Sequence, residues 1–186
     1  MVKEMTSQNI PITKKINYGS GENYKEGWIN IDINENNKVD LIINSTQTDL
    51  PFKDNSIDYI LMDNVAEHIY PEQLLKLLLE FHRILKPTGE IEIYSPHFTS
   101  IARKYLEHVK SFGIDSFYLI QDKFNIEQDL LLISRYGGQR INLQLLNKLN
   151  FLFNFSNVWK QICEKIFVFG FEEIHFKLKK KVQKKN

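Results

Sequence analysis

Lys15-Ile16-Asn17-Tyr18-Gly19-Ser20-Gly21 is followed, eleven residues after its last glycine, by the end of Trp28-Ile29-Asn30-Ile31-Asp32. The first segment reads as a short buried strand running into a glycine turn, the second as a strand closed by an acidic residue. Two parallel strands of this kind form a nucleoside-type pocket at their carboxyl ends. Glycine lacks a Cβ, so a ligand can lie against the turn. The Asp32 carboxylate can accept hydrogen bonds from a ribose diol.

Working outward, short apolar strands alternate with turns or helices. The expected strands are Lys14–Tyr18, Trp28–Ile33, Val39–Asn44, Ile57–Met62 and Glu90–Tyr94. Pro71 to Lys86 is the strongest helix: Pro71 suits a first-turn position, and Leu74, Leu75, Leu78, Phe81, His82 and Leu85 recur at helical spacing. Pro87-Thr88-Gly89 is expected to stop it. Further on, Thr99 to Lys110 reads as helical and Asn125–Ser134 as a strand. Ile141 to Val168 reads as one or two helices broken near Asn154-Phe155-Ser156-Asn157. Phe171 to Leu178 alternates as a half-exposed edge strand would. This order indicates an α/β fold, Rossmann-like and doubly wound, with a mostly parallel sheet. Residues 1–186 fit a single domain, with 98–169 as its variable helical or lid region.

Composition narrows the class. A hydrophobic share of 42% and a charged share of 25% suit a globular protein with its own core. The single Cys163 allows no internal disulfide and fits a reducing, cytoplasmic setting. The N-terminus carries no apolar leader, and no apolar run reaches membrane-spanning length. Net charge is +1, with six lysines (Lys177, Lys179, Lys180, Lys181, Lys184 and Lys185) in the last ten residues, so the body is mildly acidic. That argues against a nucleic-acid footprint over the fold, and the basic tail reads as a solubilising terminus. The oligomeric state is not legible.

A dinucleotide is the first ligand to weigh. Its G-x-G-x-x-G fingerprint fails, because Tyr24 stands at the third glycine position and Asp32 arrives too soon. A pyrophosphate-binding helix hardly fits into Glu22–Glu26. This disfavours a nicotinamide-dependent dehydrogenase. S-adenosylmethionine carries a ribose but no phosphate, and it needs only the glycine turn and the acidic residue.

Residues Lys14 to His97 resemble a class I S-adenosylmethionine-dependent methyltransferase, and more narrowly a small branch whose glycine motif runs directly into a G-W-x-N-x-D strand. The resemblance rests on Ile16 to Gly21, Gly27 to Asp32, Asp49-Leu50-Pro51-Phe52-Lys53-Asp54-Asn55-Ser56-Ile57-Asp58, Glu67-His68-Ile69 and Glu80-Phe81-His82-Arg83-Ile84-Leu85-Lys86-Pro87-Thr88-Gly89. It implies seven strands, the last antiparallel. It implies that Gly19 and Gly21 line the methionine part of the cofactor and that Asp32 holds the ribose hydroxyls, with Asn17, Ser20 and Ile33 also among the cofactor-binding residues. Asn44, Asp49 and Leu50 then lie near the adenine, and Asp63 and Asn64 face the ammonium and sulfonium. Asn17 and Asn44 depart from the usual acidic residues, and the first crossover helix is nearly absent.

For chemistry, His97 at the end of the fifth strand is the first candidate for a base or substrate contact, and His68 the second. No metal ligands are assigned. Asp63-Asn64-Val65-Ala66 lacks the Asn/Asp-Pro-Pro-aromatic run of enzymes that methylate DNA base amino groups, so DNA is not the expected substrate. The expectation is a methyltransferase for a small-molecule or glycan-type acceptor. The rival is a non-catalytic methyltransferase-like binding or partner subunit. The aromatics of Ile141 to Phe169 are expected either to shape an acceptor pocket or to pack helices on the sheet.

Overall fold

The computed structural model describes residues 14–35, 38–43, 49–100, 102, 105–131, 148–166 and 171–181. Seven strands form one sheet: β1 (Lys15–Tyr18), β2 (Ile29–Asp32), β3 (Leu41–Ile42), β4 (Ile57–Asp63), β5 (Leu85–Pro96), β6 (Phe124–Leu131) and β7 (Glu173–Lys180). The order is β3-β2-β1-β4-β5-β7-β6. Strands β1 to β5 pair in parallel. β7 runs antiparallel to both β5 and β6, as the sequence implied for the last strand. The chain winds outward from β1 through β2 to β3, then restarts on the other side with β4. The β1/β4 junction is therefore the switch point, where ligands of open α/β sheets bind.

β1 is apolar enough to be buried along most of its length, and Ile16 with Tyr18 faces α1 (Pro71–Ile84). The Tyr18 ring meets Phe81 edge-on at 5.3 Å. The buried stripe of α1 is Leu74, Leu77, Leu78, Phe81 and Ile84, one step round from the stripe expected, with Leu75 and His82 at its margin. Each such side chain contributes about 1.5–3 kcal/mol by burial. The helix ends at Ile84 rather than Lys86. Lys86 precedes a proline, which disfavours helical backbone there. Leu85 is already extended and pairs with Ile57. β5 is correspondingly longer than expected and absorbs Pro87-Thr88-Gly89 through a register shift against β4.

Three other expectations change. β3 is only two residues long. Residues 105–110 form turns and not a helix, because the Val109 and Lys110 N–H groups donate to the Glu67 carbonyl, at 2.8 and 3.3 Å. β7 lies inside the sheet and β6 is the edge. β7 alternates because the two sheet faces differ: Ile174, Phe176 and Leu178 enter the core with Ile91 and Ile93, while His175, Lys177, Glu92 and Tyr94 share the polar face. On that face Lys177 lies 3.4 Å from Glu92, and His175 stacks flat on Tyr94 at 4.1 Å, so His175 does not point freely to solvent.

Between β5 and β7 the described chain is not simply a lid. Phe112, Ile114, Phe117 and Ile120 join the core, and β6 completes the sheet. α2 (Phe151–Asn154) and α3 (Asn157–Ile166) follow, divided at Phe155-Ser156. Phe153 packs edge-on against Phe171, whereas Phe151 and Phe155 are exposed. Phe167 and Phe169 lie outside the described residues. No described helix is long and apolar enough to cross a membrane.

Candidate cofactor site

β1 ends in the glycine turn. The N–H groups of Gly19 and Ser20 both donate to the Ile31 carbonyl, at 2.7 and 3.0 Å, fastening the turn to β2. Gly19 has φ +69°, and a Cβ there would lie 2.4 Å from a Val65 methyl. Gly21 has φ +50°, and a Cβ there would meet nothing within 4 Å. The first glycine is required by packing, whereas the second faces open space. The Gly21 N–H donates to Asp32 Oδ2 at 2.7 Å, and the Asn34 N–H donates to Oδ1 at 2.9 Å. Two main-chain donors thus aim the carboxylate across the mouth of the turn. Ile33 beside it is 62% exposed. The Ser20 hydroxyl is buried without a partner, and burial together with the Asp32 charge pushes the Tyr18 hydroxyl up to about 12.

Asn17 points elsewhere. Its amide donates to the Asn23 carbonyl at 2.8 Å and to Asn30 Oδ1 at 3.0 Å. Asn30, fully buried, also accepts from the Lys25 N–H and contacts Asp40, which in turn accepts from the Asn30 N–H at 2.7 Å and from the Tyr24 hydroxyl at 3.2 Å. These side chains hold residues 22–28 in the place where a crossover helix would run. The sequence shows Asn30 as a polar residue inside a strand, and the contacts with Lys25 and Asp40 make it a hub. The Trp28 carbonyl also accepts from the Asn30 amide at 3.2 Å, and the Trp28 ring lies edge-on to Tyr59 at 5.4 Å with the Lys15 ammonium 5.2 Å from its centre.

At the end of β4, Asn64 adopts φ +53°, a conformation asparagine tolerates, and donates its N–H to the Tyr94 carbonyl at 3.0 Å. Its side chain donates to Asp63 Oδ1 at 3.2 Å. Asp49 is exposed at the rim. Leu50 is buried, with its N–H on Glu80 at 2.8 Å. Asn44 lies outside the described residues.

The two histidines part company. His97 is fully buried: Nε2 lies 2.9 Å from Glu164 of α3 and Nδ1 lies 2.7 Å from Thr99. Both ring nitrogens are occupied, so the structure makes His97 a brace between β5 and α3 and leaves no nitrogen open to an acceptor. His68 is exposed on the one-turn helix Ala66–His68, with Nδ1 3.1 Å from the Glu107 carbonyl. Glu67 beside it is buried and accepts from the Ser95 hydroxyl at 2.9 Å, and burial raises its carboxyl above the usual range.

The turn passes a simple test for an adenosyl ligand: an open direction at Gly21, an aimed carboxylate, and an orphaned hydroxyl at Ser20. The chain is similar to known proteins in sequence over part of its length and in fold over most of it. Residues 23–93 match the family model of a methyltransferase domain. An uncharacterised protein of Methanocaldococcus jannaschii is 33% identical over 81 residues, 38% of this chain, and the match spans only about a third (35%) of that protein's length. Among solved structures, an S-adenosylmethionine-dependent methyltransferase of Archaeoglobus fulgidus superposes with a TM-score of 0.63 at 17% identity, over 92% of this chain and 88% of that one. A phosphoethanolamine N-methyltransferase of Haemonchus contortus, solved with S-adenosylmethionine, gives 0.55 at 17% identity, over 92% of this chain and 50% of that one. The chain has the fold of the class I S-adenosylmethionine-dependent methyltransferases, and its sequence resembles theirs through the matched segment.

Proposed function

We propose, from a methyltransferase segment and a methyltransferase fold, that this chain binds S-adenosylmethionine at the Gly19–Gly21 turn and transfers its methyl group to a small-molecule or glycan-type acceptor. The observation that carries the reading is the Asp32 carboxylate held by the Gly21 N–H at 2.7 Å beside open space. Asp32 would take the ribose hydroxyls and the turn would take the methionine part. Asp63 and Asn64 at the end of β4 would face the ammonium. Bound there, the cofactor supplies a methyl group already activated on a sulfonium, so positioning an acceptor can supply much of the rate. Where the acceptor must lose a proton, exposed His68 would take it on the ring nitrogen that the Glu107 carbonyl leaves open, in the protein with no cation on that nitrogen.

The test is conversion of S-adenosylmethionine to S-adenosylhomocysteine on adding fractionated cell extract, followed by mass spectrometry. Product that appears with the small-molecule or glycan fraction supports the reading. Product only with the protein or nucleic-acid fraction contradicts the acceptor class. Binding without turnover on any fraction favours the non-catalytic subunit, a reading that the diverted Asn17 amide supports.

A further inference from the structure

We propose that Glu67, His68 and His108 form a binding site for a first-row divalent cation of the zinc type. The three residues each offer one ligand atom, and these atoms lie within 4.8 Å of one another. The donor set, one carboxylate and two imidazoles, is the kind that binds Zn²⁺, Co²⁺ or Fe²⁺ and leaves positions open for water or another oxygen donor.

The burial pattern is what separates this cluster from a chance grouping. Glu67 is only 1% exposed, yet its Oε1 has no hydrogen-bond partner. A buried carboxylate oxygen left unpaired is costly, and a cation beside it removes the cost. His108 Nδ1 is likewise buried and unpartnered. The other atoms of the cluster are anchored as metal ligands usually are. Glu67 Oε2 accepts from Ser95, which orients the carboxylate. The His68 Nδ1 donates to the Glu107 carbonyl, which fixes the tautomer and leaves Nε2 with its lone pair. The turn carrying His108 is docked on Glu67 by the Val109 and Lys110 N–H groups, so the second imidazole is held in place by main-chain bonds. The two imidazole rings stand edge-on, 4.8 Å apart.

Ligand atoms around a four-coordinate ion with bonds near 2.1 Å stand about 3.4 Å apart. The cluster is more open than that by an ångström or so, and the exposed His68 side chain can close the gap by rotation. The site lies just past the end of β4, with Ser95 of β5 behind it, on the same edge of the sheet as the glycine turn. Cation binding does not depend on the methyltransferase reading, and it is measurable without cofactor or acceptor.

The experiment is titration of the full metal-free chain with Co²⁺, read by its visible absorption and by equilibrium dialysis, with Zn²⁺ as competitor. The expected result is one equivalent of Co²⁺ with ligand-field bands, displaced by Zn²⁺. Affinity should fall by at least about tenfold in His68→Gln, His108→Gln and Glu67→Gln. His68 is exposed, so His68→Gln keeps the test decisive should substitution of buried Glu67 or half-buried His108 unfold the chain, as circular dichroism would show. Failure to bind one equivalent would overturn the proposal, as would a folded His68→Gln variant that binds Co²⁺ as tightly as the parent.

Discussion

The Asn17 amide donates to Asn30 Oδ1 at 3.0 Å across the first two parallel strands, and both residues are buried. A polar pair in this position is stable because its amides are hydrogen-bonded, and Asn30 carries the bonding on to Lys25 and Asp40. Asn30→Ala removes the hub and takes away the side-chain partner of the part-buried Lys25 N–H and of the Lys25 and Trp28 carbonyls. The expected loss is about 2–4 kcal/mol in urea denaturation. An unchanged midpoint would show that residues 22–28 are held by something else.

The two turn glycines should respond differently. Gly19→Ala drives a Cβ to 2.4 Å from Val65 and also strains a positive φ. Gly21→Ala meets only open space, leaving a backbone penalty of about 1 kcal/mol. Gly19→Ala should therefore lower the melting temperature much more than Gly21→Ala, and Val65→Ala should recover part of that loss. Gly21→Ala should instead weaken S-adenosylhomocysteine binding. Calorimetric melting and ligand titration of the same four proteins separate the two effects.

Acid should release one well-defined brace. Burial alone would raise the Glu80 carboxyl, but the hydrogen bonds from Arg83 and from the Leu50 N–H, with the Arg83 charge, outweigh it and hold it below its ordinary 4.5. A carboxyl lowered in the folded state stabilises above that ordinary value, and the contribution disappears as pH falls through the folded value. Arg83→Met should cost about 1 kcal/mol at pH 7, since the pair is partly exposed and screened. The gap between variant and parent should narrow below about pH 4.5. A gap that is constant with pH would mean the loss is packing alone.

His97 is buried between Glu164 and Thr99, so its removal should act on folding. His97→Ala should lose about 2–4 kcal/mol by leaving the Glu164 carboxylate and a cavity behind. The fraction that stays folded should bind S-adenosylhomocysteine with parental affinity. Lost binding in a fully folded His97→Ala protein would restore His97 to the site.

Legibility followed locality. The glycine turn, Asp32, β4 and α1 could be read because each is specified by residues adjacent in the sequence or one helical turn apart. The order of β6 and β7 could not be read: β7 alternates polar and apolar residues whether it is an edge strand or, as here, an inner strand between one buried and one polar face. Residues 105–110 have a helix-like composition, but the Val109 and Lys110 N–H groups go to the Glu67 carbonyl, from a distant segment. The same distance hid His108 beside His68, and Glu164 beside His97. The strand and glycine turn at the end of β1 are legible, while the direction of the Asn17 side chain depends on Asn23 and Asn30, which come later in the chain.

The central claim is that Asp32 receives the ribose of an adenosyl cofactor. Isothermal titration of S-adenosylhomocysteine into the parent and into Asp32→Ala tests it most directly. The account predicts saturable binding to the parent and at least about tenfold weaker binding to the variant, since two ribose hydrogen bonds to a charged acceptor are lost. Equal affinity in two folded proteins, or no binding to the parent at millimolar ligand, would contradict it.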